Sequence, residues 1–132
     1  MPSSKTSKPS PDGRKPLGDF GERVAAAHLQ AKGYTVLDSK FRVFEAEIDL
    51  VARDGEEVVF VEVRTRRGGT PGMAALSVSR GKARRLRHAV EWYVERHPEL
   101  ADAPLRIDVV TVELDRDGTL REVTHIEDAV RG

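Results

Sequence analysis

The 132-residue chain contains no cysteine. That excludes disulfides and thiolate metal sites, and it agrees with a reducing cytoplasm, the expected location. Long apolar runs are absent too: none approaches the ~18 residues of a membrane-spanning helix. The opening stretch, MPSSKTSKPSPDGRKPLG, has no apolar segment of the secretory kind. Its Ser, Pro, Lys and Gly content predicts a disordered basic tail over residues 1–16, followed by one domain over 17–132. There is no internal repeat. There is also no phosphate-cradling loop, since GGTPG at 68–72 lacks the Lys-Ser/Thr ending. That stretch reads as a mobile loop. His28, His88, His97 and His125 show no metal-binding spacing and read as surface or helix-end residues.

What is present is charge, unevenly spread. Charged residues make up 33% of the chain and the formal net charge is zero. From Arg64 to His88 there are eight cations and no acid, and from Ala89 onward eleven acids and five cations. A basic middle of this kind suits a polyanion such as a nucleic acid. An Arg-rich helix face is also often merely solvated, so charge alone leaves both readings open.

Periodicity predicts the elements. Phe20, Val24, Ala27 and Ala31 recur at helical spacing within Asp19 to Lys32, and Gly33 is placed as a left-handed cap. Tyr34 to Leu37 reads as a short strand and Ser39 to Glu45 as a loop or an irregular edge. Glu47 to Arg53 alternates, with Ile48, Leu50 and Ala52 on one face. Asp54-Gly55 signals a hairpin. Val58 to Arg66 starts as a continuous apolar run, which predicts burial on both faces there. A second helix spans Val78 to His97, with Leu86, Ala89, Val90, Tyr93 and Val94 inward, Ser77 or Ser79 as cap and Pro98 as stop. Trp92 and Tyr93 read as core and boundary residues rather than base-stacking platforms. Arg106 to Leu114 and Leu120 to Ile126 are the last strands, joined at Asp117-Gly118; Arg106 and Asp108 suit a structural ion pair. This order predicts an α/β fold with a mixed central sheet flanked by helices.

Three carboxylates interrupt the apolar strands: Glu47, Asp49 and Glu62. Pairing Arg53 with Glu56 sets Glu47 opposite Glu62, and pairing Arg53 with Val58 sets Asp49 opposite Glu62. Either register puts all three acids on one side, whereas an odd-length loop sends Glu62 away. At about 4 Å and an effective dielectric of about 20, each adjacent pair repels by roughly 4 kcal/mol. Such a group needs positive charge. Mg²⁺, held by one or two carboxylates and water, is one source. Salt bridges to Arg53, Arg64 or Arg66 are the other.

The spacing Asp49-x12-Glu62-x-Arg64 is similar to the D-x(n)-E-x-K signature of restriction-endonuclease-like, PD-(D/E)XK nucleases. The wider segments GDFGERVAAAHLQAKGYTVL, AEIDLVARDGEEVVFVEVRTR and RGKARRLRHAVEWYV, followed by RIDVVTVEL, resemble the YraN-like family of bacterial proteins over roughly residues 18–115. That family is similar in fold to Holliday-junction resolvases. The resemblance implies a restriction-endonuclease-like core and Mg²⁺- or Mn²⁺-dependent hydrolysis of DNA, branched DNA included, and leaves a homodimer open. It matches Asp49 and Glu62 to the metal-binding acids and Glu22 to an additional acid, with Glu47 assisting. Two positions depart from the pattern: Ala46 replaces a glycine, and Arg64 stands where the motif has lysine. Arg64 keeps the charge but cannot act as a base, so Lys82 is the candidate for a replacement amine. Arg66, Arg67, Arg80, Lys82, Arg84, Arg85 and Arg87 are the expected backbone contacts, aided by the helix N-terminus. A binding module weakened at Arg64 and a protein-interaction domain are the competing expectations.

Overall fold

A computed structural model describes residues 14–44, 46–69 and 78–130. Helix α1 (Arg14–Ala31) is followed by strands β1 (Thr35–Val43), β2 (Ala46–Asp54) and β3 (Glu57–Arg67). Helix α2 (Arg80–Arg96), a 3-10 turn (Pro98–Leu100), β4 (Leu105–Leu114) and β5 (Leu120–Ile126) complete the chain. The strands form one sheet in sequence order. Neighbours are antiparallel except β3 and β4, which are parallel and joined through α2. The helices lie on opposite faces, each over its own apolar cluster. This is the expected mixed α/β architecture, consistent with a restriction-endonuclease-like core.

Local chemistry sets the helix limits. Residues 1–13 lie outside the described residues, and α1 begins at Arg14, inside the stretch expected as tail. Pro16 fits there because a first helical turn lacks backbone donor partners anyway. Gly33, at φ +96°, closes the helix, with the Tyr34 N–H donating to the Leu29 carbonyl and that of Gly33 to Gln30. Ser79 caps α2 by accepting the Lys82 N–H at 3.2 Å; Ser77 lies outside the described residues, as do residues 70–72 of GGTPG.

Several expectations need correction. The inward stripe of α1 is Gly21, Ala25 and Leu29; Ala27 and Ala31 are exposed. β1 runs on to Val43 as an irregular edge strand rather than ending in a loop, because a bulge between Val36 and Asp38 restores its pairing with β2. Ile48 packs with Val51 under α2 rather than with Leu50 and Ala52 under α1, so strand alternation breaks between Ile48 and Leu50. Phe44, at the β1–β2 turn, is held at φ +53°, a conformation that costs a non-glycine residue about 1–2 kcal/mol.

His125 is not a surface residue. Its side chain is 2% exposed, and its Nε2 lies 2.7 Å from Asp108 Oδ2. Lys32 Nζ approaches its Nδ1 at 2.8 Å, and an ammonium can only donate, so Nδ1 accepts and Nε2 carries the proton toward Asp108. Arg106 forks onto both Asp108 oxygens at 2.9 and 3.0 Å, the ion pair the sequence suggested, and also reaches Glu57 and the Tyr34 hydroxyl. Burial alone would raise the Asp108 carboxyl; hydrogen bonds from His125, Arg106 and the Asp128 N–H outweigh it and hold the group below its ordinary value. This network ties α1, β3, β4 and β5 together at the hairpin end of the sheet.

At the other end α1 touches β3 through Gly21. A Cβ there would stand 1.8 Å from Thr65 Oγ1 and 2.9 Å from Thr65 Cβ. Gly21→Ala is therefore expected to destabilise the fold by about 1–3 kcal/mol in urea denaturation. Adding Thr65→Ala should recover only part of the loss, since the Thr65 Cβ position remains. An unchanged midpoint for the single variant would mean that α1 is free to move outward.

Candidate active site

The site begins where two strands part. The β2–β3 ladder runs from the Asp54–Glu57 pair, around a Gly55-Glu56 turn, to Leu50–Val61. Arg53 pairs with Val58, so the next positions, Asp49 and Glu62, come opposite. There the backbone ladder stops. The Val63 N–H donates instead to Asp49 Oδ2 at 2.7 Å. β3 continues alongside β4 alone, from Glu62–Val109 to Arg67–Leu114. The fork opens a cleft of about 640 Å³ under α2, lined by Glu47, Asp49, Glu62, Arg64, Lys82 and Arg85 among others.

Glu62 follows Val58 and Phe60 on the α2 face of β3, which is why it is buried. Its side chain is 6% exposed and held by two cations: Arg64 Nε at 2.9 Å on Oε2 and Lys82 Nζ at 3.2 Å on Oε1. Asp49 is different. Among the described residues it has no ion-pair partner, and only the Val63 N–H bonds its carboxyl. Burial pushes that carboxyl up to about 7 against the Val63 hydrogen bond, and the nearby charges of Glu22, Glu47 and Glu62 push it the same way.

The other expected acids are close but turned aside. Glu22 on α1 pairs with Lys40 Nζ at 2.6 Å, an amine shared with Asp19. Glu47 lines the cleft and pairs with Arg42 Nε at 3.3 Å. Among the described residues no three His, Asp or Glu side chains converge on a common metal position. Of the arginines expected to compensate the acids, Arg64 neutralises Glu62, whereas Arg53 donates to the Gly55 carbonyl, and among the described residues Asp49 is left without a cation. Two hard carboxylate ligands at an open cleft, one of them uncompensated, suit a divalent ion that keeps most of its water.

Helix geometry divides the basic cluster. Lys82 and Arg85 line the cleft. Arg80, Arg84 and Arg87 lie around a separate depression with Ala129 and Val130. Arg66 and Arg67 are exposed at the end of β3, where Arg67 Nε donates to the Arg116 carbonyl at 2.8 Å. Sequence reasoning missed Lys40 and Arg42 as partners of these acids, because in a stretch read as loop or irregular edge the facing of side chains carries no signal.

The residues that build the fork also carry a family relationship. Residues 21–112 match the profile of the Uncharacterised protein family UPF0102. The chain belongs to UPF0102. It is 44% identical over 117 residues to a UPF0102 protein of Roseiflexus castenholzii, covering 89% of this chain and 94% of that one. A relative from Geotalea uraniireducens is 40% identical over 116 residues, covering 87% and 89%. One from Frankia casuarinae is 45% identical over 113 residues, covering 86% and 94%. The YraN-like resemblance is thereby confirmed. The UPF0102 match begins at Gly21, the residue that seats α1 on β3, and spans Asp49, Glu62, Arg64 and Lys82.

The raised Asp49 group gives a pH test with a definite sign. The folded carboxyl titrates near 7 and the unfolded one near ~3.9, so the unfolded chain releases this proton first as pH rises. Metal-free protein should lose stability between these values. Asp49→Asn keeps an acceptor for the Val63 N–H and removes the titration. It is expected to be more stable than wild type in urea at pH 8, with the difference gone near pH 4. A difference that does not depend on pH would rule out the raised group.

Proposed function

We propose that the cleft binds the backbone of a nucleic acid and that Asp49 and Glu62 hold Mg²⁺ or Mn²⁺ for phosphodiester hydrolysis. The observation that carries this reading is Asp49: a carboxyl crowded by Glu22, Glu47 and Glu62, lacking a cation among the described residues, in a cleft also lined by Lys82 and Arg85. When bound, the ion would supply an activated water and charge stabilisation at the phosphorus. The protein's own residues set the conditions for that chemistry. The Val63 N–H fixes the Asp49 carboxyl at the fork. Arg64 orients Glu62 and contributes positive charge, but a guanidinium takes no proton from water. Lys82 presents an amine on the other Glu62 oxygen, where the strand motif supplies none. Lys82 and Arg85 attract the phosphates.

A second reading rests on the Glu62 pairing. Both of its oxygens already face cations, one from Arg64 and one from Lys82, and these compete with a metal. The protein would then bind nucleic acid and turn it over slowly or not at all.

Plasmid and branched DNA, each with Mg²⁺, Mn²⁺ or EDTA, separate the two. The nuclease reading expects cleavage that EDTA abolishes and that Asp49→Ala lowers by about 10²-fold or more. Cleavage that survives Asp49→Ala would sink it. Binding with no cleavage in wild type, and cleavage gained in Arg64→Lys, would establish the weakened module.

Salt dependence tests which helix face makes contact. Engagement of both basic faces, about five phosphates, would give a slope of log affinity on log salt of roughly −4 to −5 with duplex DNA. Contact through the cleft face alone, two or three phosphates, gives roughly −2 to −3, which is the expected result. A flat dependence would remove the nucleic-acid reading.

A further inference from the structure

Phe44 stands out among the described apolar residues. It is 85% exposed, against 42–46% for the other exposed large apolar residues, Leu37, Leu105 and Leu120. It also occupies a left-handed backbone conformation that disfavours bulky residues. Burial does not repay that strain. The ring stands edge-on to Trp92, with centroids 5.5 Å apart at 77°. The Arg96 guanidinium lies over the Trp92 ring at 5.1 Å.

The surroundings are cationic. A depression of about 260 Å³ beside Phe44 is lined by Val43, Ala46, Arg85 and His88. Among the described residues no carboxylate lines it. It shares Ala46 and Arg85 with the carboxylate cleft, so the two adjoin. Arg85, His88, Trp92 and Arg96 follow one another at intervals of three and four, which places them along one side of α2. An aromatic edge set among cations suits a planar ring with phosphates on either side of it.

We propose that Phe44 and Trp92 form a stacking site for an unpaired nucleobase at the rim of the cleft. The strand's flanking phosphates would lie on Arg85 and Arg96, which leads the backbone from the stacked base toward Asp49 and Glu62. The inference rests on the nucleic-acid reading of the cleft and sharpens its substrate: strands with an unpaired segment, as in gaps, flaps and junctions, are preferred over continuous duplex. A second copy of this chain fits the patch less well. One aromatic ring covers at most about 150–250 Å², whereas a stable interface needs about 800 Å² from each partner.

The test is binding in EDTA, where cleavage does not intrude, to duplex, gapped and single-stranded DNA carrying 2-aminopurine at the unpaired position. Wild type should favour the gapped and single-stranded forms by about 10-fold, the scale of one base–aromatic stack, with 2-aminopurine fluorescence quenched on binding. Phe44→Gly accepts the same backbone conformation and removes only the ring. It should abolish both the preference and the quenching while leaving duplex affinity within about twofold. Phe44→Trp should retain both. Circular dichroism and melting temperature confirm that the variants fold. Equal affinity for all three DNAs, or a preference that survives Phe44→Gly, overturns the stacking site while leaving the nucleic-acid reading intact. If wild type is a dimer and Phe44→Gly makes it a monomer without altering DNA binding, the ring is an interface residue and the proposal fails. Wild type that binds none of the DNAs removes both.

Discussion

The bond from the Val63 N–H to the Asp49 carboxyl shapes the cleft and the placement of the groups around it. Strand β3 needs a partner for each of its backbone donors. Up to Val61 the partner is β2's backbone; at Val63 it is a side chain. That exchange lets β2, still paired with β1, part from β3 while β3 goes on with β4, so a cleft opens without orphaning a buried donor. It also fixes Asp49 opposite Glu62. The seat of α1 on Thr65, through the bare Gly21, brings Glu22 near enough to weigh on the same carboxyl.

Two aspartates of the sheet, Asp108 buried and Asp49 partly buried, are compensated in opposite ways. Asp108 accepts hydrogen bonds from both sides of the Arg106 fork, from His125 and from the Asp128 N–H, and its carboxyl is held low despite complete burial. It is satisfied, and it locks β4 and β5 to the hairpin. Asp49 receives one backbone N–H and is crowded by other acids, so its carboxyl is held near 7. The difference lies in compensation rather than burial. Incomplete compensation destabilises a fold, and sites of this kind cluster where ligands bind.

The cations around the fork are distributed, not pooled. Lys40 serves Asp19 and Glu22, Arg42 serves Glu47, and Arg64 and Lys82 serve Glu62. This allocation explains why four acids stand close together without collapsing into one cluster. It also leaves the motif position, Arg64, facing two ways: it stabilises Glu62, and under the proposed metal reading it competes for one of that residue's oxygens.

The elements, the mixed α/β class and an even-length hairpin were legible in the residues alone. Alternation, glycine and proline placement and cap chemistry are local properties that a short window carries. The shared side of Asp49 and Glu62 was legible too, because either even register has that result. Which register holds came from the folded sheet, since the choice depends on how the Gly55-Glu56 turn closes against its neighbours. The extension of β1 past its bulge, the turn of Ile48 against its alternation and the burial of His125 came from there as well, each fixed by a partner distant in sequence. Folding likewise divided the arginines of α2 between two faces and set Phe44 against Trp92. Charge counts and motif spacing name the groups present; which acid keeps a cation and which does not depends on neighbours brought from other strands and helices.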